Sequence, residues 1–132
     1  MTQTPAPTIW PALTYTDAPG AIRFLVEAFG FVETLVVPGE GGREIAHAEL
    51  RWPEGGGVML GSACGHSDFG QRKPGTASIY VVTDAPDALF DRATAAGAEV
   101  VRGLKDEDYG SRGFTVRDPE GTLWSFGTYR GA

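Results

Sequence analysis

Residues 16–30 read TDAPGAIRFLVEAFG, and residues 83–97 read TDAPDALFDRATAAG. At an offset of 67, Thr, Asp, Ala and Pro match in a row. Ala21 with Ala88, Ala28 with Ala95 and Gly30 with Gly97 follow without a gap. A second match lies further along. Residues 51–55 are RWPEG and residues 117–121 are RDPEG, at an offset of 66, with Gly61 and Gly127 also paired. Two separate matches at nearly one offset point to an internal duplication of a module of about 65 residues.

Each copy has the same grammar. A short apolar strand, Trp10–Tyr15 or Ser78–Val82, precedes Thr-Asp-Ala-Pro. Asp is a good N-cap and Pro fits a first helical turn, so a helix is expected to run to about Phe29 or Ala96. Ile22, Leu25, Val26 and Phe29 share one helical face, as do Ala88, Leu89, the stem of Arg92 and Ala96 more weakly. Gly30 and Gly97 stand where a left-handed C-terminal residue belongs. Three strands then follow in each copy. They are expected at Phe31–Val37, Ile45–Trp52 and Val58–Ser62, and at Glu99–Arg102, Arg112–Arg117 and Thr122–Tyr129. The fold class is therefore α+β, two repeated βαβββ modules, with the helices on the outer face of curved sheets. The expected limits are 9–62 and 78–129, joined by a polar, glycine-bearing linker at 63–77 within a single domain of 1–132.

The bulk numbers narrow the function. A chain of 132 residues, 42% hydrophobic and 21% charged, is long enough for one sizeable core. The net charge of −6 argues against nucleic acid, whose phosphates need a basic face. It mildly favours neutral or cationic ligands. Apolar runs fall well short of the roughly 20 residues of a membrane span, and MTQTPAPT lacks the basic and apolar regions of a secretory signal. A cytoplasmic location is the simplest expectation. One cysteine, Cys64, excludes an internal disulfide and a multi-cysteine zinc site.

A doubled βαβββ module with a DPEG turn before its last strand resembles the glyoxalase / bleomycin-resistance / extradiol dioxygenase superfamily, the vicinal oxygen chelate fold. The phrases YGSRGFTVRDPEGTLWSFGTY and TDAPDALFDRATAAGAEV look like its metal-free, bleomycin-resistance-like branch. The resemblance covers Trp10 to Tyr129. It implies that each module curls its strands around half of a cavity, and that the chain forms homodimers. Enzymes of this family hold a divalent metal on His, Glu or Gln from the first and last strands of each module. The matching windows here are Trp10–Ala12, Ala77–Ile79, Val58–Leu60 and Trp124–Phe126. They contain no His, Asp, Glu or Gln. Ser125 stands where the last carboxylate would be, and a neutral hydroxyl is a poor ligand for a divalent ion. The expectation is no metal and no other cofactor.

Strand alternation sorts the remaining candidates. Trp124 and Phe126 are expected in the core, with Ser125 and Gly127 toward the cavity. Trp10, Ala12, Ser78 and Tyr80 are expected on the cavity side, and Leu13 and Tyr15 in the core. In REIAHAEL, Ala46, Ala48 and Leu50 read as core, leaving His47 and Glu49 together on the concave face. Tyr109 and Arg112 flank Gly110 at the mouth, one to stack and one to donate to a carbonyl or carboxylate, unless Arg112 simply pairs with an acid. The candidate ligand-binding set is Trp10, His47, Glu49, Met59, Tyr80, Tyr109, Arg112 and Ser125. His47 and Glu49 are also the candidates for acid–base chemistry, with His66 in the linker the one other histidine.

The leading functional expectation is a metal-free protein that sequesters a bulky aromatic or cationic small molecule, such as an antibiotic, by shape and stacking. The alternative is a lyase, isomerase or hydrolase of the same superfamily using His47 and Glu49 or an atypical metal. A third reading is an accessory protein whose dimer surface matters more than its cavity.

Overall fold

A computed structural model describes residues 6–64, 68 and 70–132. His66 therefore lies outside the described residues. The first module is β1 (Ala12–Tyr15), α1 (Ala18–Phe24) continuing into a π-helical turn (Leu25–Phe29), β2 (Val32–Pro38), β3 (Ile45–Arg51) and β4 (Gly57–Ser62). The second is β5 (Ser78–Val82), α2 (Pro86–Ala95), β6 (Glu99–Asp106), β7 (Arg112–Arg117) and β8 (Leu123–Gly127). Each module makes one four-stranded sheet, in the order β1-β4-β3-β2 and β5-β8-β7-β6. In both, the first strand runs parallel to the last and the other pairs are antiparallel. The doubled α+β architecture expected from the repeat is the one observed.

The two copies of Thr-Asp-Ala-Pro behave differently. Asp17 caps α1, its carboxylate accepting from the Gly20 N–H at 3.1 Å. Asp84 does not cap α2. It pairs with Arg130, while Ala85 occupies the N-cap and its N–H donates to the Thr83 hydroxyl at 3.2 Å. The buried face of α2 is also displaced from the expected one. Pro86, Leu89 and Ala93 face the core, while Ala88 and Ala96 are exposed. With alanine on several sides of this helix, hydrophobicity alone identifies its inner face poorly. Arg92 has a task outside its own module. Its Nε and Nη2 donate to the carbonyls of Glu27 and Val26, at 2.8 and 3.1 Å, satisfying the open C-terminal end of the first helix. Gly30 ends that helix at φ 90°.

The core gathers the helices of both modules against one face of each sheet. Phe29 packs on Trp124 and Phe126 with ring centroids 5.4 and 4.7 Å apart, and Phe31 bridges Trp52 and Trp124. Aromatic pairs in this geometry add about 0.5–1.5 kcal/mol each beyond their burial. Leu13, Tyr15, Ala48 and Leu50 are buried as expected. Ala46, the second residue of β3, is exposed rather than buried.

Polar bolts cross the seam as well. The Trp52 indole donates to the Val82 carbonyl at 2.9 Å. In the DPEG turn, the Glu120 carboxylate accepts from the N–H groups of Thr16 and Asp17, at 2.6 and 2.8 Å. Asp118, 5% exposed, accepts from the Tyr15 hydroxyl at 2.6 Å and from the Trp124 indole at 3.0 Å.

Candidate functional site

Residues directly opposite in neighbouring strands share a sheet face. Met59 lies opposite Ala12 on β1 and Glu49 on β3, and Glu49 and His47 lie opposite Leu35 and Val37 on β2. These six side chains therefore stand on the face turned away from the core. Leu35 and Val37 are both exposed there.

Over this face lies an open groove of about 930 Å³. Ala12, Ile45 and Met59 give it an apolar floor, with His47 at one side. The β2–β3 hairpin supplies one wall and the acidic residues Glu40 and Glu44. Cys64 and Gly70, from the segment between the modules, supply the other. A groove of this size accommodates a drug-sized ligand. His47 Nε2 lies 2.8 Å from Glu49 Oε2, both groups partly exposed. That contact restrains the orientation of the imidazole.

The equivalent face of the second sheet carries Tyr80, Ser125 and Thr115 in register. Ser125 and Thr115 share a hydrogen bond of 2.8 Å. The Tyr80 hydroxyl donates to the Tyr129 carbonyl at 2.7 Å, and the Tyr109 ring meets the Tyr129 ring edge-on at 5.7 Å. A Cβ at Gly127 would approach the Tyr80 hydroxyl to 2.8 Å, so a glycine there leaves room for that ring. Arg112 is held by acids. It donates to both oxygens of Asp87, at 2.8 and 3.1 Å, and lies 3.3 Å from Asp106. The hydrogen bond from Arg112 draws the Asp87 carboxyl below its usual range, and the two carboxylates raise the guanidinium above its own.

The sequence-derived candidates thus divide. His47, Glu49 and Met59 gather on the first sheet, with His47 and Met59 lining the groove. Tyr80, Ser125, Tyr109 and Arg112 belong to the second. Trp10 stands apart. It precedes β1 and receives the Arg51 guanidinium over its ring at 5.3 Å, and its ring lies where a Cβ on Gly57 would be.

The register also tests the superfamily's metal positions. Ala12 faces Met59 in the first module, and Tyr80, one residue beyond the expected window, faces Ser125 in the second. A methyl, a thioether, a phenol and an alcohol do not make a donor set for a divalent cation, which is held by imidazole and carboxylate groups in such sites. Among the described residues, no group of three or more His, Cys, Asp or Glu is placed to hold a metal ion.

Several groove residues escape a strand-by-strand reading. Glu40, Glu44, Cys64 and Gly70 reach the groove from turns and the inter-module segment, where no alternation applies. The one available signal was composition, glycine-rich with two glutamates at 39–44.

Comparison with known proteins places this geometry. A 41% identical relative over 128 residues, from Mycobacterium tuberculosis strain H37Rv, is an uncharacterised protein; the match covers 92% of this chain and 74% of the relative. TioX from Micromonospora sp. ML1 is 37% identical, with a TM-score of 0.71 over 88% of this chain and 93% of its own. A superfamily member from Sphaerobacter thermophilus, 19% identical, shares the fold at a TM-score of 0.66 over 91% of this chain and 96% of its own. The model of the Glyoxalase/Bleomycin resistance protein/Dioxygenase superfamily matches residues 9–126. With that match spanning both βαβββ modules, the chain belongs to the Glyoxalase/Bleomycin resistance protein/Dioxygenase superfamily.

Proposed function

We propose that this protein is a metal-free member of its superfamily that binds a small molecule stoichiometrically, holding a bulky aromatic or cationic compound in the manner of a drug-resistance protein. The observation that carries the reading is the groove of about 930 Å³ over an apolar floor, where the superfamily's metal-ligand positions are occupied by Ala12 and Met59. Glu40 and Glu44 on its wall suit a cationic group, and Met59 offers a polarisable surface to a ring. His47 and Glu49 orient the ligand's polar atoms. Tyr80, Tyr109, Arg112, Ser125 and Trp10 are proposed to contribute where a second chain closes over these faces, in a cytoplasmic homodimer.

The test is elemental analysis of protein purified without chelator, followed by thermal melting with cobalt, nickel, zinc and manganese. The reading expects no stoichiometric metal and no metal-dependent rise in Tm. It also expects one equivalent of an aromatic cation to bind by calorimetry and to be lost in Met59→Arg, which sets a like charge on the groove floor. A second reading has its own observation, the 2.8 Å His47–Glu49 contact, which suits general acid–base catalysis. One equivalent of metal lost in His47→Ala, or turnover with a pH profile abolished in His47→Gln, would move the assignment to catalysis.

A further inference from the structure

Two cations beside the groove are not accounted for by the fold. Arg72 and Lys73 lie in the segment between the sheets, both exposed, and neither forms an ion pair among the described residues. Many other cations are engaged. Arg102, Lys105, Arg112, Arg117 and Arg130 face carboxylates, Arg51 lies over Trp10, and Arg92 satisfies helix carbonyls. Arg23 and Arg43 also form no ion pair among the described residues, but Arg72 and Lys73 are adjacent in the chain and line one pocket.

Arg72 and Lys73 line a second, smaller pocket of about 310 Å³, with Thr76 and Thr122. This pocket shares Ala12, Leu13 and Thr14 with the groove, so the two meet at β1. The loop that carries them is braced. The Thr76 hydroxyl donates to the Lys73 carbonyl at 2.8 Å. Gly75, at φ 82°, brings its backbone so close to the Glu120 carbonyl that a Cβ would lie 2.3 Å from that oxygen. Strand order sets the polarity. β1 is the edge strand on the basic side, whereas Glu40 and Glu44 sit on the β2–β3 hairpin across the sheet. Two strand spacings separate β3 from β1, roughly 10 Å, the length of a small bicyclic molecule with a substituent.

We propose that Arg72 and Lys73 form an anion subsite, which takes a carboxylate, sulfonate or phosphate group at one end of an apolar ligand whose body lies in the groove. The proposal rests on the groove being the binding site and refines the ligand class, from an aromatic or cationic body to one that also carries an anionic end.

A matched pair of probes separates the two ideas. 8-Anilinonaphthalene-1-sulfonate and N-phenyl-1-naphthylamine share an aromatic skeleton and differ by the sulfonate. Each is titrated by fluorescence, at low and at high salt, against the full chain, Arg72→Ala/Lys73→Ala and Met59→Glu, with Tm recorded for each variant. The double variant is expected to weaken the sulfonate roughly three- to tenfold, the range for two exposed charge contacts, and to leave the neutral probe unchanged. Added salt should weaken the sulfonate in the parent and much less in the double variant. Met59→Glu should weaken both probes. An unchanged sulfonate affinity in the double variant, with both probes still lost in Met59→Glu, overturns the anion subsite and leaves the groove standing. Binding of neither probe, or of both despite Met59→Glu in a folded protein, overturns the groove and the subsite together. Should Met59→Glu unfold, Ala12→Glu, at the exposed start of β1, replaces it.

Discussion

Asp118 accepts four hydrogen bonds from within the protein, from the Tyr15 hydroxyl, the Trp124 indole and the backbone N–H groups of Glu120 and Thr122. The residue is both the first position of the DPEG turn and the tie between modules. Asp118→Ala leaves buried donors unsatisfied and should cost about 3 kcal/mol in urea unfolding. Tyr15→Phe removes one donor from an acceptor that keeps three others, so a loss of about 1 kcal/mol is expected. A cost for Asp118→Ala no larger than that for Tyr15→Phe would refute the hub role. Tyr15 also sets an alkaline limit. Burial, reinforced by the Asp118 carboxylate, pushes its phenol well above the ordinary tyrosine value of about 10. Above that pH the unfolded chain releases the proton and the folded chain keeps it, so the unfolded state binds fewer protons. Stability is complete below pH ~10 and then falls by about 1.4 kcal/mol per pH unit. Unfolding curves between pH 9 and 11 should show this fall, and Tyr15→Phe should flatten it.

At the scale of elements, the first helix is completed by a residue from the other module. Arg92 reaches the Val26 and Glu27 carbonyls, and its Nη1 would lie 3.0 Å from a Cβ on Gly30. Arg92→Ala should therefore cost about 1 kcal/mol. Gly30→Ala should cost about 1–2 kcal/mol from the strain of a left-handed non-glycine residue, and more because its methyl crowds the Arg92 guanidinium. Combined, their effects should fall short of the sum, because without the guanidinium the alanine methyl has space. Strict additivity in chemical denaturation would show that the two do not interact. The helix ends were legible in the repeat because a left-handed glycine is a local requirement. The partner of that end was not, since sequence spacing says nothing about which surface a long flexible cation reaches. The same limit explains Asp84. The repeat makes it look like a second N-cap, but the nearby Arg130 competes for its carboxylate. The core strands of each sheet can be read from alternation, which assigns Ser125, His47 and Glu49 to the open faces. The β1–β5 equivalence slips by one residue relative to the helices, which placed Tyr80 outside the window tested for the superfamily's ligands. The groove's walls come from turns, where no periodic pattern exists to be read.

Taken whole, the molecule buries one face of each sheet and leaves the other face of each open. On the first sheet the open face presents Leu35 and Val37, each more than 40% exposed, beside Met59 and the His47–Glu49 pair. On the second it presents Tyr80, and Tyr109 and Tyr129 are exposed beside it. Apolar and aromatic surface gathered on sheet faces, rather than scattered singly, marks a place to be covered. A second copy of the chain can cover it while turning the open groove into an enclosed one. Sedimentation should then give a species of twice the 14.0 kDa chain mass. Leu35→Glu/Val37→Glu puts two like charges next to Glu49, where they repel a covering surface without disturbing the core. That variant should sediment as a folded monomer with an unchanged far-ultraviolet spectrum. Binding of an aromatic probe should weaken with the loss of the dimer, because only the floor and two walls of the groove remain. A parent chain that sediments at 14 kDa would remove the second copy from this picture. A variant that stays dimeric would place the contact elsewhere, and the groove would then have to bind its ligand open to solvent.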